Sequence, residues 1–345
     1  MENQREIQPD VSIECGEFNS RTTTTSTFLT RIASFLGLKP KAKLPIKRVL
    51  INFALIFIFG KFNFYLKTIF LLGALIEAFL HILGPFTRGF FCDDNSIRLP
   101  YKTGTIPLWM LILYCLLVTN LTFIIGEYWR LVDHRTASEH LVIYEHGESF
   151  RVRLLIRLVF FQGFFCVAIL ATLIFTSLAK FSVGRLRPHF LAICDPLING
   201  KEKEAHFCSL PENQHFYVEN YTCANTSNSS LIFEGRLSFF SGHSSLSMCA
   251  AVFTALYLHC RLKPLINYVV VIPLLQICVL STAMFIAYTR IRDNLHHWSD
   301  IFVGMATGSS VATFVGLTVV GFKLNTHTFE ESISLKEGRR NVPSG

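Results

Sequence analysis

Charge is what this chain has least of. Only 16% of its residues are Asp, Glu, Lys or Arg, and 51% are hydrophobic, with a mean hydropathy of +0.41. Soluble domains carry about 25% charged residues, so an ordinary soluble globular domain is excluded. No CxxC pair occurs among the ten cysteines, which argues against a structural zinc site. Carboxylates are too few around the polar motifs for a two-metal centre, so neither a metal nor another cofactor is expected. Nor is there an early apolar run. Residues 1–44 are polar and rich in Ser and Thr (RTTTTST), so no cleavable signal is expected and weak order is.

What the chain has instead is long apolar runs. A membrane-crossing helix needs about 20 mostly apolar residues. Residues 66–83, 106–125, 155–179, 268–288 and 301–322 qualify. Residues 246–262 are shorter and carry Ser247, His259 and Arg261, but an odd number of spans would put the polar motifs on opposite faces. The expected fold is therefore all-α and polytopic, with six transmembrane helices. A run at 49–59 is too short to span and reads as an interfacial helix or an extension of the first span. The expected organisation is a cytosolic extension over 1–44, a membrane domain over 45–323 and a cytosolic tail over 324–345.

The net charge of +8 would suggest nucleic acid in a soluble protein. Here the excess flanks the membrane, and the positive-inside rule accounts for it. Lys39, Lys41, Lys43, Lys47 and Arg48 put the N-terminus in the cytosol. The loop 127–154, the turn 261–263 and the tail follow. Residues 84–105, 180–245 and 289–300 then lie outside. The longest of these loops holds three N-x-[ST] acceptors, Asn220, Asn225 and Asn228, while a fourth, Asn120, falls inside a span and should stay unmodified. It also holds Cys194, Cys208 and Cys223, which with Cys92 make four cysteines on one oxidising face and leave three possible pairings. Cys115, Cys166, Cys249, Cys260 and Cys278 read as small apolar fillers.

Lys180, Arg185, Arg187, Arg290 and Arg292 sit on the outer side against the charge rule. An anionic substrate supplies a reason. Three stretches carry the chemistry: KFSVGRLRP from Lys180, SFFSGHSS from Ser238, and YTRIRDNLHHWSD from Tyr288. Arg187 and Arg290 can each fork two hydrogen bonds onto a phosphate, and Lys180 adds a point charge. Ser241 and Gly242, just before a helix start, offer a hydroxyl and free amides at the positive end of a dipole. His296 and Asp300 are four apart and would share a helical face, the carboxylate fixing the imidazole tautomer, so His296 is a candidate nucleophile. His243 is a candidate general acid. His297 reads as a bystander, with Asp300 three residues away a poorer but possible partner, and Asp293 reads as a local partner of Arg290 or Arg292. Glu77 and His81, also four apart, read as a structural pair; a transporter would use them as an ion relay.

Together these stretches resemble the type 2 phosphatidic acid phosphatase superfamily, whose pattern is K-x6-R-P, then P-S-G-H, then S-R-x5-H-x3-D. The chain has Lys180 with Arg187-Pro188, then Phe240-Ser241-Gly242-His243, then Thr289-Arg290 with His296 and Asp300. Phe240 stands where the pattern has Pro, and Thr289 where it has Ser. The likeness narrows to the integral membrane lipid phosphate phosphatases over roughly residues 86–308, including FTRGFFCDDNSIRLPYKTGTIP at 86–107. The resemblance implies a magnesium-independent phosphohydrolase at the extracellular or luminal face, acting on phosphatidate, lysophosphatidate, sphingosine 1-phosphate or ceramide 1-phosphate. His296 would be the nucleophile, Asp300 its partner and His243 the acid. Lys180, Arg187, Ser241, Gly242 and Arg290 would hold the phosphate. The plasma membrane is the expected location, with the endoplasmic reticulum or Golgi as the alternative, and a homo-oligomer is a family expectation. The rival reading is a catalytically weak, lipid-phosphate-binding signalling protein of the same superfamily.

Overall fold

The computed structural model describes residues 68, 71–133, 149–225, 229–262 and 270–322. The N-terminal extension, the apolar run 49–59, the C-terminal tail and Asn228 lie outside these residues. Helix α1 spans Leu71–Leu83, α2 Leu108–Val132, α3 Phe150–Val183, α4 Gly242–Tyr257, α5 Val271–Arg292 and α6 Trp298–Phe314. A π-helical turn extends α4 over Leu258–Leu262, and another extends α6 over Val315–Val320. With those extensions, five of the described helices are long and apolar enough to cross a membrane. The described part of the first expected span, α1, is too short to do so alone.

Helix α4 is the least apolar of the spans and the most enclosed. It packs against α2, α3, α5 and α6, and Ser244, Ser245, Ser247, Cys249, Ala250, Ala251 and Thr254 are all buried. A helix surrounded by protein does not face lipid, so it needs small side chains for close packing and can carry hydroxyls. That explains the weak hydropathy of 246–262. The outer helices put apolar side chains outward, as with Leu113 and Leu117 on α2, Leu274 and Phe285 on α5, and Phe302 on α6. Glycine sets the closest contact: a Cβ on Gly308 of α6 would collide with the Ser245 carbonyl oxygen of α4.

Two sequence expectations change at the helix ends. The loop expected over 127–154 is shorter, because α2 runs on to Val132 and α3 starts at Phe150. Helical hydrogen bonding continues past the apolar window because Glu127, Arg157 and Arg261 meet there and satisfy one another. Glu127 takes bonds from Arg157 (3.2 Å), from Arg261 (3.0 and 3.1 Å) and from Tyr257 (2.8 Å). Glu77 and His81 do not pair. Glu77 accepts a hydrogen bond from Ser177, while His81 sits edge-on to Phe181 and stacks on Phe233. A side chain on α1 reaches α3 more directly than it reaches its own next turn.

The outer segments are not helical alone. Strand β1 (Phe90–Phe91) pairs antiparallel with β4 (Tyr217–Val218), and β2 (Pro196–Ile198) lies between β3 (Glu202–Lys203) and β5 (Tyr221–Cys223). This cap has its own small core of Phe90, Ile97, Leu186, Phe190, Ile198 and Val218. Disulfides Cys92–Cys208 and Cys194–Cys223 close it, which selects one of the three pairings left open by sequence. Asn220 is exposed at the cap surface. The amide nitrogen of Asn225 donates to the Ile193 carbonyl at 3.1 Å. Asn120 lies inside α2, its amide bonded to Leu116 O at 2.8 Å.

Candidate active site

The three motif stretches meet at one end of the bundle. Helix α3 ends there with Lys180 in its last turn, and Gly184 caps it in the left-handed conformation at φ 57°. A side chain at 184 would also strike the Phe86 carbonyl, so glycine is required twice over. The chain then turns through Arg185 and Arg187, and Arg187 N donates to Gly235 O at 2.8 Å. Helix α4 begins at the same end with Ser241 as its N-cap, the hydroxyl accepting from Ser244 N at 3.4 Å. Helix α5 ends there with Arg290 in its last turn, and α6 starts there with Asp300 in its first.

Backbone bonds join all three. Ser238 N donates to Arg185 O (2.9 Å) and Ser241 N to Asp300 O (3.2 Å). A fourth segment, 98–107, closes over them. Leu99 N donates to Pro188 O at 2.8 Å, Asn294 Nδ2 to Pro100 O at 3.0 Å, and Thr105 N to Asp293 Oδ2 at 2.6 Å.

His296 and Asp300 do not share a helical turn, as the spacing had suggested. His296 precedes α6, whose N-cap is His297. The Asp300 carboxylate closes a capping box on the His297 backbone N–H at 3.0 Å. His296 Nδ1 is 2.8 Å from the Ser238 carbonyl oxygen and 3.7 Å from Asp300 Oδ2. A carbonyl only accepts, so Nδ1 carries the hydrogen and Nε2 keeps its lone pair. The tautomer is set by Ser238, not by Asp300. The carboxylate acts on the imidazole through its charge.

Burial pushes the His296 imidazole down to about 3, and Arg187 and Lys180 push the same way against the pull of Asp300. His296 is thus neutral across the physiological range. His243 Nε2 lies 3.1 Å from Ile106 O, and the charges of Arg290, Lys180 and Arg187 reach its ring.

The cations are incompletely paired. Arg187 faces Glu234 only at 3.7 Å, and its Nε is buried with no hydrogen-bond partner. A buried guanidinium N–H without an acceptor is costly unless an anion occupies the site. Arg290 donates from Nε and Nη2 to Thr289 Oγ1 at 3.2 Å each and to Asp293 at 3.4 Å. The hydroxyl that Thr289 shares with serine therefore has a structural use. Burial alone would raise the Asp293 carboxyl, but bonds from Thr105 and the nearby Arg290 and Arg292 hold it below its usual range. A Cβ on Gly242 would stand 3.7 Å from Lys180 Nζ, which puts the ammonium beside the first amides of α4.

Sequence reasoning missed two participants. Arg185 bonds Asp300 Oδ1 at 2.7 Å, and Ser238 Oγ bonds Oδ2 at 2.6 Å. His297, read as a bystander with Asp300 as the poorer partner, in fact lies nearer Asp300 than His296 does, at 3.3 Å against 3.7 Å. The only signal for Arg185 was a basic residue on the wrong side of the membrane. Ser238 carried none, because its use depends on the fold.

The family model of the PAP2 superfamily matches residues 162–322. The chain is 35% identical to phospholipid phosphatase 1 of Mus musculus over 253 residues, covering 72% of this chain and 80% of that protein. It is 34% identical to phospholipid phosphatase 2 of Bos taurus, covering 66% of this chain and 72% of that one. With the Caenorhabditis elegans phospholipid phosphatase homolog 1.2 homolog the identity is 35%, over 65% and 62%. No solved structure matches. Two thirds or more of a relative's length at this identity places the chain in the PAP2 superfamily, among its lipid phosphate phosphatases.

Proposed function

We propose that the protein hydrolyses lipid phosphate monoesters such as phosphatidate, lysophosphatidate, sphingosine 1-phosphate and ceramide 1-phosphate, without magnesium, through a phosphohistidine at His296. One observation carries this reading. A neutral imidazole with its Nδ1 hydrogen fixed by Ser238 O sits within the field of Lys180 and Arg187. The relatives' printed names support the lipid phosphate as substrate.

In this reading Lys180, Arg187 and Arg290 balance the charge of the phosphate dianion, as a metal would elsewhere. The amides opening α4 at Gly242 and His243, with Ser241, take its remaining oxygens. His296 Nε2 attacks phosphorus and the P–O ester bond breaks. The leaving alkoxide takes a proton from His243. Water then attacks the P–N bond, returning its proton to His243, and phosphate departs with His296 neutral again. The bundle end where the cap sits is assigned to the extracellular or luminal side, at the plasma membrane, with both termini cytosolic and α1 as the outer part of a sixth span. A headgroup can then reach the site while its acyl chain stays in the bilayer.

The test is phosphate release from a panel of lipid phosphates in EDTA. Wild type should turn over, His296→Ala should fall to background, and His243→Ala should lose about 10²- to 10⁴-fold. Rapid quench should trap acid-labile label on wild type and none on His296→Ala. Equal, background-level release by wild type and His296→Ala would point instead to the lipid-phosphate-binding reading.

A further inference from the structure

We infer that Arg185 and Ser238 are positioning residues for Asp300, and that they hold its carboxylate in the orientation the reaction uses. This rests on the phosphohistidine reading above. Asp300 is fully buried, and a buried carboxylate needs both oxygens satisfied. Oδ1 takes a 2.7 Å bond from Arg185 Nη1. Oδ2 takes a 2.6 Å bond from Ser238 Oγ and a 3.0 Å bond from His297 N, with His297 Nδ1 at 3.3 Å. His296 Nδ1, at 3.7 Å, lies outside hydrogen-bond range.

The same Arg185 nitrogen also donates to Ser299 Oγ at 2.7 Å, so the guanidinium is held on the first turn of α6 rather than swinging free. Ser238 ties both members of the dyad. Its carbonyl accepts the His296 Nδ1 hydrogen and its hydroxyl donates to Asp300 Oδ2, so one residue fixes the gap between imidazole and carboxylate. When His296 attacks and becomes cationic, the carboxylate across that gap stabilises the new charge. The gain depends on a fixed distance.

A competing use exists for Arg185. Its side chain is 32% exposed, and it lines a cavity of about 540 Å³ together with Arg88, Tyr217, Phe239 and His297. It could therefore touch substrate directly.

Steady-state kinetics on a detergent-purified panel of wild type, Arg185→Gln, Arg185→Lys and Ser238→Ala separate the two, with monodisperse elution as the folding check. A positioning role predicts that kcat falls about 10- to 100-fold in Arg185→Gln and Ser238→Ala while KM stays within about twofold. Arg185→Lys, which restores the charge, should recover most of the loss. In an Asp300→Asn background, Arg185→Gln should cost less than about twofold more, because the partner it acts through is gone. A rise in KM without loss of kcat, no loss at all, or an undiminished loss in the Asp300→Asn background would overturn the inference. If wild type releases no phosphate from any lipid, it is the phosphatase reading that fails.

Discussion

A single proton separates a histidine that can attack phosphorus from one that cannot. At His296 burial, Arg187 and Lys180 all favour the neutral ring, and only Asp300 opposes them. A folded-state value near 3 lies below the ordinary 6.5, so protonation begins only as pH falls towards 3 and the free ring is neutral from pH 5 to 8. Imidazole ¹⁵N spectra, with the His296 signals identified by their loss in His296→Asn, should show an unchanging Nδ1–H tautomer over that range. A titration centred near 6.5 would contradict it. Lys180, Arg187, His243 and Arg290 could be singled out in the chain, because a phosphate demands those residue types whatever surrounds it. What holds Asp300 could not. Arg185 and Ser238 are 115 and 62 positions from it in the chain.

At the scale of helices, the site depends on how closely α6 lies on α4. Two glycines of this pair make opposite demands. Alanine at Gly308 would drive its methyl into the Ser245 carbonyl of α4, a backbone atom that cannot step aside. Gly308→Ala should therefore cost about 1–3 kcal/mol and lower the thermal midpoint, and it should cut activity by moving Ser241 away from Asp300. Alanine at Gly242 meets only Thr176 Cγ2 at 3.6 Å and Lys180 Nζ at 3.7 Å, ordinary contacts. Gly242→Ala should leave the midpoint unchanged and weaken phosphate binding, seen as a higher KM. Thermal unfolding and kinetics on the two variants check both outcomes. The helices themselves were legible as apolar runs, and the serine N-cap as Ser241-Gly242. The central place of α4 was not, since enclosure by four neighbours leaves a weaker hydropathy signal than contact with lipid.

Among the described residues, buried charge is concentrated at two ends of the helix bundle. One end holds Lys180, Arg187 and Arg290. The other holds Glu127 bonded to Arg157, Arg261 and Tyr257, with Arg130 donating to Arg261 O at 2.9 Å. This knot joins α2, α3 and the end of α4, with Glu127 and Arg157 fully buried. Removing one partner of a buried ionic group strands the others. Glu127→Ala should cost about 3–5 kcal/mol, visible as a large fall in the thermal midpoint. Arg98→Ala, breaking a bridge to Glu204 that is 32% exposed on the arginine side, should shift it far less.

Hydropathy alone determined that this chain belongs in a membrane. The residue types of three short motifs alone determined that it handles phosphate, because both properties follow from local chemistry that no neighbour can alter. The tertiary structure decided which cysteines pair, that α4 lies at the centre, that Ser238 rather than Asp300 fixes the His296 tautomer, and that Arg185 serves a carboxylate. Each of these is a contact between residues far apart in the chain. Such contacts depend on distances that packing sets and composition does not encode.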